Sequence, residues 1–284
     1  HLPARPLNSN KGTFGRVMVS AGCINFIGAA FLASSGALRA GAGLVTLATA
    51  AGLCPVIASR LAEVTYLPLP ESKYGTIAGT AAETVMKEMP QYRLLLLGCG
   101  LGQNEETLDY VDSLLSGKNL PPVILDADGL NLLAKIPRWQ EKIPLNTVLT
   151  PHPGEMSRLT GLSIEDVQKD RTQIAAAFAQ KWNRTVLLKG AFTVIASPEG
   201  RCRISPYANP ALATAGTGDV LSGIIAGLAV QGLDLFDAAS LGVYLHGEAG
   251  GKVRAEMGDT GIIASDLLPV IPIFIKELRT MSQE

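Results

Sequence analysis

Asn209-Pro-Ala-Leu-Ala-Thr-Ala-Gly-Thr-Gly-Asp-Val-Leu-Ser-Gly223 is the stretch whose reading decides the fold and the chemistry. A loop of small residues containing Gly216, Thr217 and Gly218 runs into Asp219, and the apolar run Val220 to Leu233 has the length and composition of a buried helix. A helix start carries unpaired backbone N–H groups and the positive end of the macrodipole, so it suits a phosphate or a developing anion. Glycines let that anion approach the backbone closely. Asp219 breaks the pattern, because a carboxylate repels the anion such a turn attracts. Two readings stay open: a helix cap, or a general base beside a transferring phosphoryl group.

Outward from this stretch, short apolar runs alternate with helical segments. Arg16 to Ala21 predicts a strand, Gly28 to Ala40 a helix of small residues, and Leu44 to Ala48 a second strand. Val64 to Leu69 and Arg93 to Leu97 are further strands, with a helix from Thr80 to Met89 between them. Asn104 to Leu115 suits a helix with Asn104 as its cap. Pro122 to Asp126 and Thr147 to Thr150 read as strands, the second leading through Pro151-His-Pro-Gly-Glu155 into a short helix. Ser163 with Asp166 marks a capping box for one long helix reaching about Trp182. Thr185 to Lys189, Thr193 to Ala196 and Arg201 to Ile204 make a meander, and helices Asp219 to Gly232, Leu235 to Val253 and Ser265 to Arg279 follow. The alternation predicts an α/β fold: a single doubly wound domain over 16–284, with a largely parallel sheet flanked by helices, behind a polar lead-in over 1–15.

With 284 residues, 47% of them hydrophobic and 17% charged, the chain can bury a sizeable core. A formal net charge of −1 and an aromatic content of 5% argue against nucleic acid and anionic membrane surfaces as partners. Cys23, Cys54, Cys99 and Cys202 are far apart and lack metal-ligand spacing, so buried free thiols in a reducing cytoplasm are expected. His1 to Lys11 has no apolar signal core, and no apolar run reaches the length of a membrane span. The chain starts without Met, which leaves a cleaved, tagged or excised N-terminus open.

In a doubly wound sheet, ligands gather beyond the carboxyl ends of the strands. Gly98–Gly102, Asp126–Asn131, Thr150–Glu155 and Lys189–Thr193 all follow apolar strands, which points to one shared cleft. Gly98-Cys-Gly-Leu-Gly102 has Gln103 where a dinucleotide fingerprint needs its last glycine, and no P-loop is present. His152, between two prolines, is either structural or a neutral donor to a substrate amide or hydroxyl. Asp126 and Asp128 either cap the following helix or hold a metal with its waters, and Glu155 is a helix N-terminal charge or a magnesium partner. Lys189 either meets a phosphate or snorkels to the surface. His246, near Tyr244 on an apolar helix, reads as a packed core or interface residue.

The ordered set Asn10-Lys-Gly-Thr-Phe-Gly-Arg16, Gly28-Ala-Ala30, Ala37–Thr46, Gly98–Gly102, Asp126–Asn131, Thr150-Pro-His-Pro-Gly-Glu155, Lys189-Gly-Ala-Phe-Thr193 and Gly216–Gly223 closely resembles the ADP-dependent (S)-NAD(P)H-hydrate dehydratases. These are a branch of the ribokinase-like superfamily, and the similarity covers nearly the whole chain. Gly-Thr-Gly-Asp alone marks the superfamily; the Lys-Gly-x-x-Gly-Arg and Thr-Pro-His-Pro-Gly-Glu pieces mark the branch. The sequence departs from the family pattern at Phe26-Ile27, at Cys99, where Pro is usual, and at Ala215, where Gly is frequent.

The resemblance implies a lyase that restores hydrated NADH or NADPH to the active cofactor, consuming ADP and releasing AMP and phosphate. It implies substrate contacts at Ala29, Gly102 and His152, with Asp219 as the base beside the substrate hydroxyl. Nucleotide contacts would come from Lys189, Gly190, Ala191, Phe192, Thr193, Gly216, Thr217 and Gly218, with Mg2+ carried mainly on the phosphates and Asp126 and Glu155 as candidate metal partners. It also implies a cytoplasmic homotetramer, with a hydrate epimerase fused or separate. The rival readings are a kinase of the same superfamily acting on a thiazole or pyrimidine alcohol, and a nucleotide-sensing module without catalysis.

Overall fold

A computed structural model describes residues 2–281, so His1 of the lead-in and residues 282–284 at the domain's end lie outside the described residues. The strands are β1 (Arg16–Ser20), β2 (Leu44–Ala50), β3 (Thr65–Leu69), β4 (Leu94–Leu97), β5 (Val123–Leu125), β6 (Thr147–Leu149), β7 (Thr185–Leu188), β8 (Val194–Ala196) and β9 (Cys202–Ile204). The helices before β7 are α1 (Ile27–Arg39), α2 (Cys54–Ala58), α3 (Ala81–Glu88), α4 (Glu105–Leu115), α5 (Asp128–Leu133), α6 (Trp139–Lys142), α7 (Pro153–Thr160), α8 (Ile164–Lys169) and α9 (Arg171–Trp182). After the meander come α10 (Thr217–Ala229), α11 (Leu235–Met257) and α12 (Ile271–Met281).

One nine-stranded sheet runs in the order β3-β2-β1-β4-β5-β6-β7-β8-β9. Every pairing from β3 to β7 is parallel, and β8 and β9 add antiparallel at the far edge. The α/β fold with a largely parallel sheet is therefore as the sequence predicts. The chain winds outward from β1 through β2 to β3, then returns to lay β4 on the other side of β1. That reversal is a topological switch point, where a crevice opens beyond the strand ends.

Strand residues alternate between two cores because successive side chains point to opposite faces. Val17, Val19, Leu94 and Leu96 join the core under α1, α10 and α11. Met18, Leu95 and Leu97 join the core under α4, α7 and α9. Covered on both faces, β4 reads as an unbroken apolar run. Pro68 sits in β3, an edge strand that tolerates a missing N–H.

Helices α1 and α10 lie side by side, backbone against backbone. A Cβ on Gly223 would stand 2.2 Å from the Ala33 carbonyl oxygen, one on Gly227 2.4 Å from that of Ala37, and one on Gly36 2.6 Å from that of Val220. The small-residue composition of both helices is the consequence of this approach.

Four details differ from the sequence reading. The single helix expected from Ser163 to Trp182 is two, because Asp170 leaves the helical region (φ −146°, ψ 80°) and its side chain caps the second at Gln173 N. The last helix does not start at Ser265: a short 3-10 turn, Ala264–Leu267, precedes α12. Helix α10 begins at Thr217, two residues before Asp219. Cys23 and Cys99 are buried as expected, but Cys54 is half-buried and Cys202 is exposed on the edge strand β9.

Among the described residues, no helix is long and apolar enough to cross a membrane. Replacing Gly223 by Ala drives a methyl group into the α1 backbone and lowers stability by about 1–3 kcal/mol. Gly251→Ala, where a Cβ meets nothing within 4 Å, instead raises it by roughly 0.5–1 kcal/mol. Urea midpoints of the two variants measure the contrast, and equal midpoints would refute the close approach.

Candidate active site

From the switch point outward, the carboxyl ends of successive strands carry Gly98–Gly102 after β4, Asp126 after β5, Thr150 to Glu155 after β6 and Lys189 after β7. Gly98 has φ +131°, and a Cβ there would lie 2.0 Å from the Asp126 carbonyl oxygen, so glycine alone lets the two strand exits close on each other.

Lys189 is the centre of charge. Its Nζ lies 2.6 Å from Asp126 Oδ1 and 3.7 Å from Glu155 Oε2, and its side chain is largely buried. Burial works against its charge, and the two carboxylates outweigh it, holding the ammonium above its ordinary pKa. Burial likewise pushes the Asp126 carboxyl upward, but the Lys189 ammonium and hydrogen bonds to it bring it below the usual range. Ser222, from α10, donates to Asp126 Oδ2 at 2.6 Å. For Glu155 burial prevails and raises the carboxyl to about 7.

Helix α10 starts from Gly216 in a left-handed conformation (φ +91°), which makes Gly216 the N-cap and puts Asp219 inside the first turn. The capping reading of Asp219 therefore gives way. Thr217 Oγ1 donates to the carbonyls of Leu212 at 2.8 Å and Thr214 at 2.9 Å, tying the loop to the helix. A Cβ on Gly218 would be 3.7 Å from Lys189 Nζ, so the ammonium sits beside the helix start. Asp219 is half-buried, and burial, reinforced by the nearby Asp126 charge, raises its carboxyl to about 6. A sulfur or oxygen atom of each of Cys99, Asp126 and Asp219 lies within 4.8 Å of the others.

His152 is the N-cap of α7. Its Nδ1 accepts from Gly154 N at 3.0 Å and Glu155 N at 3.4 Å, while Glu155 Oε2 accepts from His152 N at 2.8 Å. With Nδ1 engaged as acceptor, the neutral ring carries its proton on Nε2. Burial and the positive charges of Lys189 and Arg158 lower its pKa and keep the ring neutral.

A cavity of about 800 Å³ opens beside this cluster. His152, Lys189, Gly190, Ala191, Thr193, Thr217 and Gly218 line it, together with Tyr207 and His246. Phe192, Gly216 and Asp219 stand outside its wall, as do Ala29 and Gly102. Phe192 is 53% exposed, and its backbone N–H donates to the Tyr207 carbonyl. Ala29 packs where a Cβ on Gly100 would lie 2.7 Å away, and Gly102 N donates to Asp128 Oδ2 at 2.9 Å. The residues singled out in the sequence thus fall on two sides of Asp219, cavity wall on one and the β1 and β4 exits on the other.

A family model for NAD(P)H-hydrate dehydratase matches residues 17–272. The chain belongs to the NAD(P)H-hydrate dehydratase family. A bifunctional NAD(P)H-hydrate repair enzyme from Moorella thermoacetica is 43% identical over 278 residues, covering 98% of this chain and 52% of that protein. The chain thus spans about half the length of the bifunctional relatives it matches. An ADP-dependent (S)-NAD(P)H-hydrate dehydratase from Bacillus subtilis is 37% identical over 95% of this chain and 92% of its own length. A crystal structure of ADP/ATP-dependent NAD(P)H-hydrate dehydratase from Bacillus subtilis, co-crystallized with ATP/Mg2+, has a TM-score of 0.83 at 35% identity, covering 97% of this chain and 94% of that one. A hydroxyethylthiazole kinase from Pyrococcus horikoshii, with a TM-score of 0.63 at 14% identity, shares the fold alone.

Against this family background, three side chains were not assigned to the site from the sequence. Ser222 stood in the quoted stretch, where a hydroxyl three residues after Asp219 on a buried helix was the available signal. His246 is a core residue, as read, but it also walls the cavity. Its Nε2 lies 3.0 Å from the Thr217 carbonyl, which can only accept, so the ring donates there. Burial lowers its pKa to about 4. Tyr207 carried no sequence signal, because its place in the wall is set by the turn after β9.

The donor set bears on magnesium. Both Asp126 oxygens are engaged, by Lys189 and Ser222, and Glu155 is engaged by His152 N and Lys189. Magnesium keeps waters and combines few carboxylates with substrate phosphates. These residues fit an ion carried on phosphates and met through water, rather than an all-protein cage.

An Asp219 that titrates near 6 in the fold and near 3.8 in the open chain binds its proton more tightly when folded. Its contribution to stability is complete below about pH 4 and is lost as pH rises through about 6. Asp219→Asn therefore melts higher than the unaltered protein at pH 8, and the advantage fades toward pH 4. Melting curves across that range test this, and an offset independent of pH would refute it.

Proposed function

We propose that this chain dehydrates the S epimer of hydrated NADH or NADPH back to the reduced cofactor, consuming ADP and releasing AMP and phosphate. The observation that carries the proposal is the placement of Asp219: a carboxylate in the first turn of α10, with the Lys189 ammonium beside that helix start and a cavity on one side of it. A dehydratase relative co-crystallized with ATP/Mg2+, and the ADP-dependent dehydratase name of a match covered nearly end to end, support a nucleotide as the ligand.

In this reading ADP enters the cavity against Lys189, Gly190, Ala191 and Thr193, with its phosphates at Thr217 and Gly218 beside the Gly216 N-cap, while Phe192 stays outside the wall. The hydrated nicotinamide approaches Asp219 from the Ala29 and Gly102 side, and the neutral His152 ring offers its Nε2–H from the cavity wall. Mg2+, when bound on the phosphates, supplies charge neutralisation to the transferring group. The substrate hydroxyl forms an O–P bond to the β-phosphorus of ADP as the bond to AMP breaks, and Asp219 takes the hydroxyl proton. Backbone N–H groups at the α10 start stabilise charge on the phosphoryl oxygens. The C–O bond then breaks with its electron pair leaving on phosphate, driven by the ring nitrogen lone pair. Loss of a proton from the adjacent ring carbon restores the double bond. A loose transfer needs little basicity, so a carboxylate titrating near 6 serves at neutral pH.

A homotetrameric assembly and a cytoplasmic setting belong to the same proposal, as does partnership with an epimerase, and only the last has support from the bifunctional relatives.

Incubating the protein with ADP, Mg2+ and hydrated NADH restores the absorbance of reduced nicotinamide and liberates phosphate. Accumulation of a phosphorylated alcohol with no recovered absorbance would instead identify a kinase. Asp219→Asn lowers turnover by roughly 10²-fold or more while nucleotide binding persists. The rate of the unaltered protein rises with pH through about 6 as Asp219 ionises. Near-normal turnover by the Asn variant removes Asp219 from the chemistry.

A further inference from the structure

Arg171 takes no part in the site as described, and no sequence motif marked it. It is the first residue of α9, directly after the break at Asp170. Had α8 and α9 formed one continuous helix, Arg171 would follow the helical direction of α8. The break re-aims it toward the sheet, where its guanidinium forks under the loop that follows β7. One terminal nitrogen donates to the Leu188 carbonyl at 2.8 Å and the other to the Ala191 carbonyl.

Gly190 lies between those two acceptors with φ +144°, and a Cβ on it would stand 2.9 Å from the Arg171 guanidinium. The glycine is what admits the guanidinium. The rest of the loop is fixed in the same way: Lys189 N donates to the Pro151 carbonyl at 2.8 Å, and Thr193 Oγ1 to the Gly190 carbonyl at 2.9 Å.

The electrostatics add a second observation. Among the described residues, Arg171 has no carboxylate within ion-pair distance, whereas Lys189 next to the loop is matched by Asp126 and Glu155. Burial lowers the Arg171 pKa, with no charged partner among the described residues to raise it. Its Nε is buried without a hydrogen-bond partner. A half-buried guanidinium bonded to carbonyls keeps a full positive charge, and its field is weakly screened by solvent. That charge lies directly behind backbone that walls the cavity at Gly190 and Ala191.

We propose that Arg171 is the positioning residue of the nucleotide site: its guanidinium sets the shape of the Lys189–Thr193 loop and gives that loop an uncompensated positive charge for the anionic ligand. This rests on the reading of the cavity as a nucleotide site. Arg171 does not touch the ligand; it acts through the carbonyls it holds. Lys cannot fork between two carbonyls in the same way but retains the charge, so it separates the two contributions.

The test uses the whole chain and ADP with Mg2+, with titration calorimetry for Kd and steady-state rates for KM and kcat. Arg171→Met is expected to raise both Kd and KM for ADP by about tenfold or more, and to raise KM by a larger factor than it lowers kcat. Arg171→Lys is expected to recover part of the affinity, and more of it at low than at high ionic strength. A merely structural role would lower the melting temperature and the active fraction, and so kcat, while leaving KM and Kd unchanged. That outcome overturns the proposal, as does unchanged ADP affinity in both variants. If Arg171→Met does not fold, Arg171→Lys with unaltered Kd overturns it alone. Failure of the unaltered protein to bind ADP overturns the nucleotide reading and this inference together; normal binding by it with unaffected variants overturns this inference only.

Discussion

A buried ammonium shared by two buried carboxylates is the constraint on which the rest of the site depends. Lys189, Asp126 and Glu155 follow three neighbouring strands, so their mutual attraction ties the loops beyond the β5, β6 and β7 exits to one another. Removing one member of such a group leaves a charge without compensation in a poorly solvated place, which is more costly than the group is stabilising. Ser222 extends the arrangement into α10, so the strand ends and the anion-binding helix share one set of hydrogen bonds. Glu155 also caps α7 with His152, and the rigid Pro151-His-Pro loop is held by the same charge cluster.

Asp219 lies at the edge of this cluster without belonging to it. Asp126 is stabilised as an anion by Lys189, and that negative charge, together with burial, makes Asp219 harder to ionise. Two carboxylates within 4.8 Å therefore differ in character: one is committed to a cation, the other is poised to exchange a proton. This separation of roles by environment is the usual way a site prepares an acid or base.

Much of the architecture was legible because it depends on local periodicity. Leu94 to Leu97 is too short for a helix and ends at Gly98, so it reads as a doubly covered strand, and the alternation of such runs with helices left a parallel sheet as the natural arrangement. The strand-exit loops could be placed at one cleft for the same reason. The break at Asp170 was not legible, because Ser163 offers a good cap and nothing between it and Trp182 forbids a helix. What breaks it is a second capping aspartate, whose competing hydrogen bond to Gln173 N looks in sequence like an ordinary surface residue. Arg171 went unnoticed with it. Ser222 and Tyr207 depend on contacts across nearly a hundred and about forty residues respectively, which no short-range pattern encodes.

The backbone-to-backbone packing of α1 on α10 has a consequence for how far apart two reactants can be held. Ala33 lies against Gly223 and Ala37 against Gly227, so the helices run in the same direction and present their N-termini at the same end of the sheet. Contacts between backbones have no rotamers to exchange, and neither helix can slide along the other without a clash. The interval between the Ala29 end of α1 and the Gly216 end of α10 is therefore a fixed gauge. Ligands placed against the two ends meet at a separation set by the glycines of the helix pair, about two to three turns along from the ends they touch.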